Sequence, residues 1–336
     1  MPHKVKQHIL ETLRAAGNGW VSGEALREPF GISRAAISKQ VNTLKEKGYE
    51  IESGPRKGYR LLGEPDDLGA EVVLPLLRGT RFGAAGYRVL RVTQSTNDDA
   101  LALARAGAGE GAMVLAEQQL AGRGRRGRVW YDKPGDSLMF SVVLRPPLEP
   151  AQCALLPLLA AASVRGGMQF LGFDGVGIKW PNDVLIRGRK FGGILCEMSS
   201  EFDRVDHAVI GMGLNINTPA EAFPGEVRDI ACSLLTATGT RWKRMEVLAA
   251  ILQCMDLYLA EAWEGRFERM MTAWREGSVT LGKNIQATLP NGQVIEGMAE
   301  ALDPSGALVL RERTGHTRLL TGGEVSLGTG RSQSGA

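Results

Sequence analysis

Between Gly122 and Trp130 the chain reads Gly-Arg-Gly-Arg-Arg-Gly-Arg-Val-Trp, with four guanidiniums on a backbone thinned by glycine. Glycine lets a backbone approach a ligand closely, and the planar arginine fork matches phosphate oxygens. The glycines also spell G-x-G-x-x-G. A dinucleotide fold needs that fingerprint to open a helix after a strand, with an acid about 20 residues further on. Here Val129–Leu144 reads as strands and a turn, and cations fill the variable positions. No Gly-Lys-Ser/Thr follows, so a Walker loop is excluded as well. What remains is a flexible loop presenting Arg123, Arg125, Arg126 and Arg128 to an anion, with Trp130 suited to stack on a base or cover the site. A disordered RNA-binding tract is the competing reading, but such tracts seldom lie between strands of a folded domain.

Two further stretches carry polar groups. Lys179-Trp180-Pro181-Asn182-Asp183 leads into Val184-Leu185-Ile186, a turn at Arg187-Gly188, and Lys190-Phe191-Gly192-Gly193-Ile194-Leu195-Cys196-Glu197. A strand, a Pro-Asn-Asp turn and a hairpin would set Lys190 near the start of a strand, where a fixed ammonium can meet a phosphate. Lys179 competes for that role, and a solvated surface position is the plain alternative for either lysine. Gly211-Met212-Gly213-Leu214-Asn215-Ile216-Asn217 ends a third strand. Its glycines suit close backbone approach to a ligand and its asparagines suit hydrogen bonds to a polar end. A glycine-marked β-bulge would look the same.

The elements that must hold these groups lie in a middle segment, 68–275, that mixes strand and helix patterns. Arg88–Val92, Ala112–Ala116, Leu138–Leu144 and Val205–Gly211 read as strands. One helix begins near Ser95-Thr96, with Asp98 and Asp99 in its first turn. Ala151–Gly166 is apolar but too short to span a bilayer, and reads as a buried helix. A long helix is expected over Met245–Trp274. From 278 to 327 the texture changes to strand-like pieces, Asn284–Leu289, Gln293–Leu302, Ala307–Arg313 and Thr317–Leu320, parted by turns such as Asn291-Gly292. These predict a small all-β barrel. The tail Gly328–Ala336 reads as disordered.

Ahead of the middle segment, residues 1–63 have a different character. Val5, Ile9, Leu10 and Leu13 recur at helical spacing, Ser22 can cap a second helix carrying Leu26 and Phe30, and Ser33 can cap a third that runs to Lys47. The third helix buries Ala36, Ile37, Val41 and Leu44 and leaves Arg34, Ser38, Lys39 and Asn42 to face outward. Two short strands, Tyr49–Ile51 and Tyr59–Leu62, flank a turn carrying Arg56 and Lys57. Together these predict a winged helix-turn-helix. The segment holds 11 Lys or Arg against 6 Asp or Glu, whereas the whole chain is only +3. The basic surplus therefore sits here and favours phosphate contacts. A small helical protein-interaction module is the alternative. Glu64-Pro65-Asp66-Asp67 reads as a linker.

At 336 residues the chain fits two or three domains, and its 43% hydrophobic content supports a real core. Cys153, Cys196, Cys232 and Cys254 are scattered without zinc-ligand spacing and read as buried free thiols of a reducing cytosol. The N-terminus has no export signal, so a cytoplasmic protein is expected.

Taken together, the motifs closely resemble those of the bacterial biotin–protein ligases that double as repressors of biotin synthesis. The resemblance runs from Val5 to Leu327. It rests on GRGRRGR-x-W at 122–130, KWPND at 179–183, RK-x-x-GIL at 189–195, Ser95-Thr96-Asn97, Glu117, Gln119, G-x-G-x-N at 211–215, and Gly322-Gly323-Glu324-Val325-Ser326-Leu327. It implies an α+β protein: a winged helix-turn-helix (1–63), a mixed α/β ligase domain of the biotin/lipoate ligase type (68–275) and an SH3-like β-barrel (278–327).

The resemblance also implies roles for single residues. Ser95, Thr96, Asn97, Gln119, Gly122, Arg123, Gly124, Arg125, Lys190 and Gly193 would bind biotin. Arg125, Arg126, Gly127, Arg128, Trp130, Lys179, Asn182 and Asn215 would bind the nucleotide, and Asp183 would meet Mg²⁺. Lys190, Arg125 and Arg128 would be catalytic. On the winged-helix reading of residues 1–63, Ser33, Arg34, Ser38, Lys39, Asn42, Arg56 and Lys57 would contact DNA. The implied reaction uses ATP and Mg²⁺ to convert biotin into biotinyl-adenylate, which a lysine of biotin carboxyl carrier protein then attacks. No Ser-His-Asp triad is required, and His207 and His316 have no evident catalytic partner. Operator DNA and a homodimer induced by the adenylate are the other implied partners. The segment Thr218–Ile230 departs from the family's adenine-side pattern, which leaves any adenine contact by Ile230–Leu234 unassigned. A biotin sensor without ligation, or a lipoate ligase on the same fold, would be the alternatives. The first would need a damaged glycine loop or a missing Lys190, and the intact loop and winged helix argue against the second.

Overall fold

The computed structural model describes residues 2–201, 204–289 and 291–327. The tail Gly328–Ala336 lies outside the described residues. The chain divides into two compact units, Met1–Asp67 and Leu68–Ala336.

In the first unit α1 (Pro2–Ala15), α2 (Gly23–Arg27) and α3 (Arg34–Glu46) are followed by the antiparallel pair β1 (Glu50–Gly54) and β2 (Gly58–Gly63). The Ser22 and Ser33 side chains cap α2 and α3 by accepting from the amides of Ala25 and Ala36. Ile9, Leu13, Leu26, Ile37 and Leu44 form the core at 0–2% exposure. Ala36, expected inside, is only half-buried. At the wing, a Cβ on Gly54 would lie 2.6 Å from the Trp20 ring, so glycine lets this strand end pack on the indole. Lys57 and Arg60 hold their charges over the same ring, at 5.6 and 5.0 Å from its centroid.

The second unit opens with α4 (Ala70–Leu76), β3 (Tyr87–Leu90), α5 (Thr96–Arg105), β4 (Met113–Ala116) and β5 (Ser137–Leu144). It continues through α6 (Leu156–Phe170), β6 (Val176–Lys179), β7 (Asp183–Ile186), β8 (Arg189–Glu201) and β9 (Arg204–Asn215). Their seven strands form one sheet in the order β3-β4-β5-β9-β8-β7-β6, with only β3–β4 parallel. β5 is buried at every position, as expected of a central strand covered on both faces. α5 closes one face through Ala100 and Ala104, packed with Val114, Val143 and Val209.

Short helices α7 (Gly225–Arg228) and α8 (Leu234–Thr238) precede α9 (Arg244–Ala262) and α10 (Glu268–Gly277). The single long helix expected over Met245–Trp274 is therefore two. Gly265, at φ 76°, takes the left-handed conformation that terminates a helix, and the Arg266 amide turns back to the Glu261 carbonyl. α6 packs on α9 so closely that a Cβ on Gly167 would lie 2.7 Å from the Ile251 backbone. The apolar helical stretch is longer than the sequence suggested. Gln152–Phe170 is by length and composition able to cross a membrane, but 67% of it is buried in this core.

β10 (Asn284–Thr288), β11 (Val294–Leu302), β12 (Leu308–Glu312), β13 (Thr317–Leu320) and β14 (Glu324–Leu327) form a five-stranded antiparallel sheet in the order β13-β12-β11-β10-β14. β14 was legible beforehand only as a motif. The turn before β12 docks on the central layers. The Trp180 indole donates to the Gly306 carbonyl (3.1 Å), and a Cβ on Gly306 would lie 2.8 Å from Leu155 and Leu158.

Candidate functional site

β8 and β9 pair Gly193 with Gly213 in a register that stays regular to Leu214, and β5 pairs regularly with β9 to Asn215. The bulge considered for Gly211–Asn217 is thus absent, and the glycines have another use. A Cβ on Gly211 would lie 1.9 Å from Asn97 Oδ1, and one on Gly213 would lie 2.6 Å from the Trp130 ring. The bare strand receives two side chains of this chain. Above it opens a cavity of about 710 Å³.

One end of the cavity is lined by uncharged polar side chains together with Arg123, whose charge is paired with Asp98 and Glu197. Ser95, Thr96 and Asn97 come from the start of α5 and are 3–4% exposed. Gln119 Oε1 accepts from the Thr96 amide (2.8 Å) and hydroxyl (3.1 Å), and the Gln119 amide donates to Asp132 (3.2 Å). Burial pushes the Asp132 carboxyl above its usual range, against the pull of backbone amides. The Ser141 hydroxyl lies 2.8 Å from Thr96 Oγ1 and 2.7 Å from Asn97 Oδ1, and Asn97 Nδ2 donates to Glu197 (2.7 Å). Ser141, Glu197 and Asp132 were missed. The signal for Ser141 was a lone hydroxyl within the apolar run Leu138–Leu144.

Cations gather at the other end. The Lys190 ammonium lies 2.6 Å from Asp183 Oδ1, with Lys179 4.0 Å from Oδ2. Burial lowers the Lys179 pKa, and Asp183 opposes that shift. Burial, then Arg126, lowers the Arg125 pKa. Arg125 reaches Asn182 Oδ1 (3.4 Å) and the Gly323 carbonyl (3.3 Å), while Arg128 pairs with Glu324. Arg123 turns the other way, to Asp98 at 2.5 Å and Glu197 at 3.9 Å. Among the described residues no three His, Cys, Asp or Glu side chains cluster as a metal cage. Asp183 offers a single carboxylate, which suits a Mg²⁺ ion carried largely by nucleotide phosphates.

The glycine loop is closed by its own backbone. The Gly124 amide donates to the Arg128 carbonyl (2.7 Å) and Trp130 to Gly122 (2.9 Å), around a turn with Arg126 at φ 58°. Arg123, Gly124, Arg125, Arg128 and Trp130 reach the cavity wall, as do Asn182, Gly193 and Asn215. Gly122, Arg126 and Gly127 do not: Gly122 lies behind Trp130, and Arg126 and Gly127 are exposed at the turn.

The segment that sequence reading left unassigned forms a wall. The Lys190 amide donates to the Ile230 carbonyl (2.6 Å) and its carbonyl accepts from Cys232 (2.8 Å). This brings Phe223, Val227, Ile230 and Ala231 to the cavity beside the residue expected to be catalytic. Strand β14 lines it too, from Glu324 to Leu327. Glu117 lies outside the wall, ion-paired at 2.7 Å with the buried Arg244. Burial pushes the Cys196 thiol up to about 12, and all four cysteines are free, Cys153 and Cys232 buried and Cys196 and Cys254 partly so. His207 is held by Asp206 (2.6 Å), and neither it nor His316 is in the wall.

In the first unit Arg34, Lys39, Asn42, Arg56 and Lys57 are exposed, and Ser38 is half-buried. The Ser33 hydroxyl is engaged as the cap of α3.

Comparison with known proteins places these features. Residues 5–60 match a helix-turn-helix domain, 87–215 the biotin/lipoate A/B protein ligase family, and 280–328 the biotin protein ligase C-terminal domain. The bifunctional ligase/repressor BirA of Bacillus subtilis is 35% identical over 98% of this chain and 100% of its own. The chain belongs to the bifunctional biotin ligase/repressor family. The BirA of Escherichia coli is 31% identical over 95% of this chain and 96% of its own. The biotin protein ligase of Aquifex aeolicus, solved with biotin and ATP, superimposes with a TM-score of 0.62 at 28% identity, covering 72% of this chain and 98% of that one. The α+β architecture expected from sequence, with a helix-turn-helix unit, a ligase fold and a C-terminal β-module, is that of this family.

Proposed function

We propose that the protein activates biotin with ATP to biotinyl-5′-adenylate, passes the biotinyl group to a lysine of biotin carboxyl carrier protein, and represses biotin synthesis genes through its N-terminal unit. The observation that carries the chemistry is the polarity of one cavity. Buried uncharged hydrogen-bonding groups line one end, and Lys179, Lys190, Arg125 and Arg128 line the other. A small neutral ring with a carboxylate arm, joined to a phosphate, has that same polarity.

In this reading Ser95, Thr96, Asn97 and Gln119 hold the biotin ring, with the Gln119 carbonyl oxygen fixed by Thr96. The biotin carboxylate and the α-phosphate repel each other, and the four cations lower that repulsion. Lys190 stabilises charge at the α-phosphate as the carboxylate oxygen bonds to phosphorus and pyrophosphate leaves. Arg125 and Arg128 draw on the phosphates, while Asn182, Asn215 and the 230–232 segment face the nucleoside. Mg²⁺ at Asp183 would supply further charge neutralisation on the phosphates. The carrier lysine, as neutral amine, then attacks the acyl carbon; the bond to the phosphate oxygen breaks, AMP leaves, and the nitrogen loses a proton to solvent. Closure of the glycine loop over the adenylate keeps water from the mixed anhydride.

The domains are read as 1–63 for DNA, 68–275 for ligation and 278–327 as an SH3-like barrel. The exposed set on α3 and the wing reads operator DNA and its phosphates, and a homodimer formed on the adenylate presents two such units to paired half-sites. The setting is the cytoplasm.

ATP–pyrophosphate exchange tests this reading. Biotin-dependent exchange supports it, exchange with lipoate alone replaces it with the sister ligase, and no exchange with either acid moves it to a sensor.

A further inference from the structure

Four oxygens touch in succession at the end of the cavity where α5 begins: Asn97 Oδ1, Ser141 Oγ, Thr96 Oγ1 and Gln119 Oε1. The successive separations are 2.7, 2.8 and 3.1 Å, so each contact taken alone is a hydrogen bond that needs a proton. Neither end of the chain can supply one. Asn97 Nδ2 donates to the Glu197 carboxylate (2.7 Å) and the Leu195 carbonyl (3.4 Å), which turns the Asn97 oxygen toward Ser141. At the other end the Thr96 amide donates to Gln119 (2.8 Å), so Gln119 presents its oxygen there and not its nitrogen. Only the Ser141 and Thr96 hydroxyls remain as donors. Their two protons must serve three contacts, and the chain is one proton short.

Distance decides where the shortfall falls. Two oxygens with no proton between them repel, and they repel least at the widest contact, from Thr96 to Gln119. The favoured arrangement sends the Ser141 proton to Asn97 and the Thr96 proton to Ser141. Thr96 Oγ1 and Gln119 Oε1 then meet as two acceptors. Both residues line the cavity, whereas Ser141 is fully buried and lies outside the wall.

Resting on the reading above, we propose that Ser141 is a positioning residue that sets substrate specificity: by drawing the Thr96 proton to itself, it leaves Thr96 and Gln119 as an acceptor pair for a ring N–H. The substrate class is a cyclic urea or amide. The biotin ring is a cyclic urea, and its N–H supplies the proton that the chain lacks. A dithiolane ring such as that of lipoate has no N–H and leaves the two oxygens opposed. With alanine at 141 the Thr96 proton has only Gln119 to serve, and the demand for a ligand N–H disappears.

The test measures ATP–pyrophosphate exchange by the full chain with biotin and with the two cyclic carbamates in which oxygen replaces one or the other ring N–H. The wild type is expected to favour biotin over at least one carbamate by about 100-fold or more in kcat/KM. Ser141→Ala should narrow that ratio to under about tenfold, with KM for biotin raised about tenfold and kcat changed less than about threefold. Ser141→Cys, which replaces the hydroxyl with a weak sulfur acceptor, serves as the second variant and should narrow the ratio as well. Equal use of biotin and both carbamates by the wild type would overturn the proposal whatever the variants do. Wild-type discrimination retained in a folded variant would overturn it too, and a fall in kcat alone would reduce Ser141 to a packing role. Absence of biotin-dependent exchange in the wild-type protein would instead sink the reading on which the proposal rests.

Discussion

Arg128, in the glycine loop, is ion-paired with Glu324, in the last strand of the C-terminal sheet. The arginine side chain is 68% exposed and the glutamate 31%, so the pair is worth under about 1 kcal/mol and does not hold the fold together. Its effect is local, because it fixes where the Arg128 guanidinium sits at the cavity wall. Glu324→Gln is expected to leave the melting temperature within about 2 °C. Limited trypsin digestion should nevertheless cut faster between Arg125 and Arg128. Unaltered cleavage would show that the loop's own backbone bonds suffice.

Lys190 is placed by both of its backbone groups and by Asp183. Removing its charge is expected to slow pyrophosphate exchange by about 100-fold to 1000-fold, the scale of losing one donor to a developing oxyanion. Lys190→Met should keep the wild-type circular dichroism spectrum. Near-normal exchange would pass the role to Lys179.

Arg244 and Glu117 form an ion pair of another kind, because the arginine side chain is 4% exposed and also donates to the Ser137 carbonyl. Arg244→Ala leaves a partly buried carboxylate unpaired and is expected to cost about 2–4 kcal/mol in urea unfolding. A cost under about 1 kcal/mol would mean that solvent reaches the pair.

Asp132 should give stability an acid-range pH dependence. Burial raises its folded pKa above the ordinary 3.8, so the folded state favours the proton. Its contribution is full below 3.8 and is lost as pH rises through the folded value. Asp132→Asn keeps an acceptor for the Gln119 amide and removes the titration. Unfolding free energies measured from pH 3 to 7 should therefore show the variant gaining on the wild type as pH rises. Parallel profiles would contradict the assigned burial.

On the DNA side, Lys39 and Arg56 are exposed in the first unit. Alanine at either is expected to reduce the slope of log affinity against log salt for operator DNA by about 1. An unchanged slope would remove that residue from the phosphate contacts.

The sequence showed most clearly what local chemistry determines. Ser22 and Ser33 announced their helices because a capping hydroxyl acts within three residues. The arginine loop and Lys190 stood out by residue type. What stayed hidden was long-range. Gly211 and Gly213 were read as room for a ligand, yet they make room for Asn97 and Trp130, more than 80 residues away along the chain. Glu197 meets Asn97 only because β8 and α5 cover the same floor. The wall from Phe223 to Ala231 carried no motif, since its place comes from backbone bonds to Lys190 that any side chain would permit. The break before α10 was missed because a single glycine in an apolar pattern is a weak signal.

Strand β14 gives the cavity a schedule. The first unit is complete at Asp67, whereas the cavity takes its last residues from Glu324 to Leu327. A ribosome making this chain therefore emits a complete first unit about 260 residues before the cavity's wall is complete. A chain cut between Asp67 and Glu324 would hold all of the first unit and lack the β14 wall of the cavity.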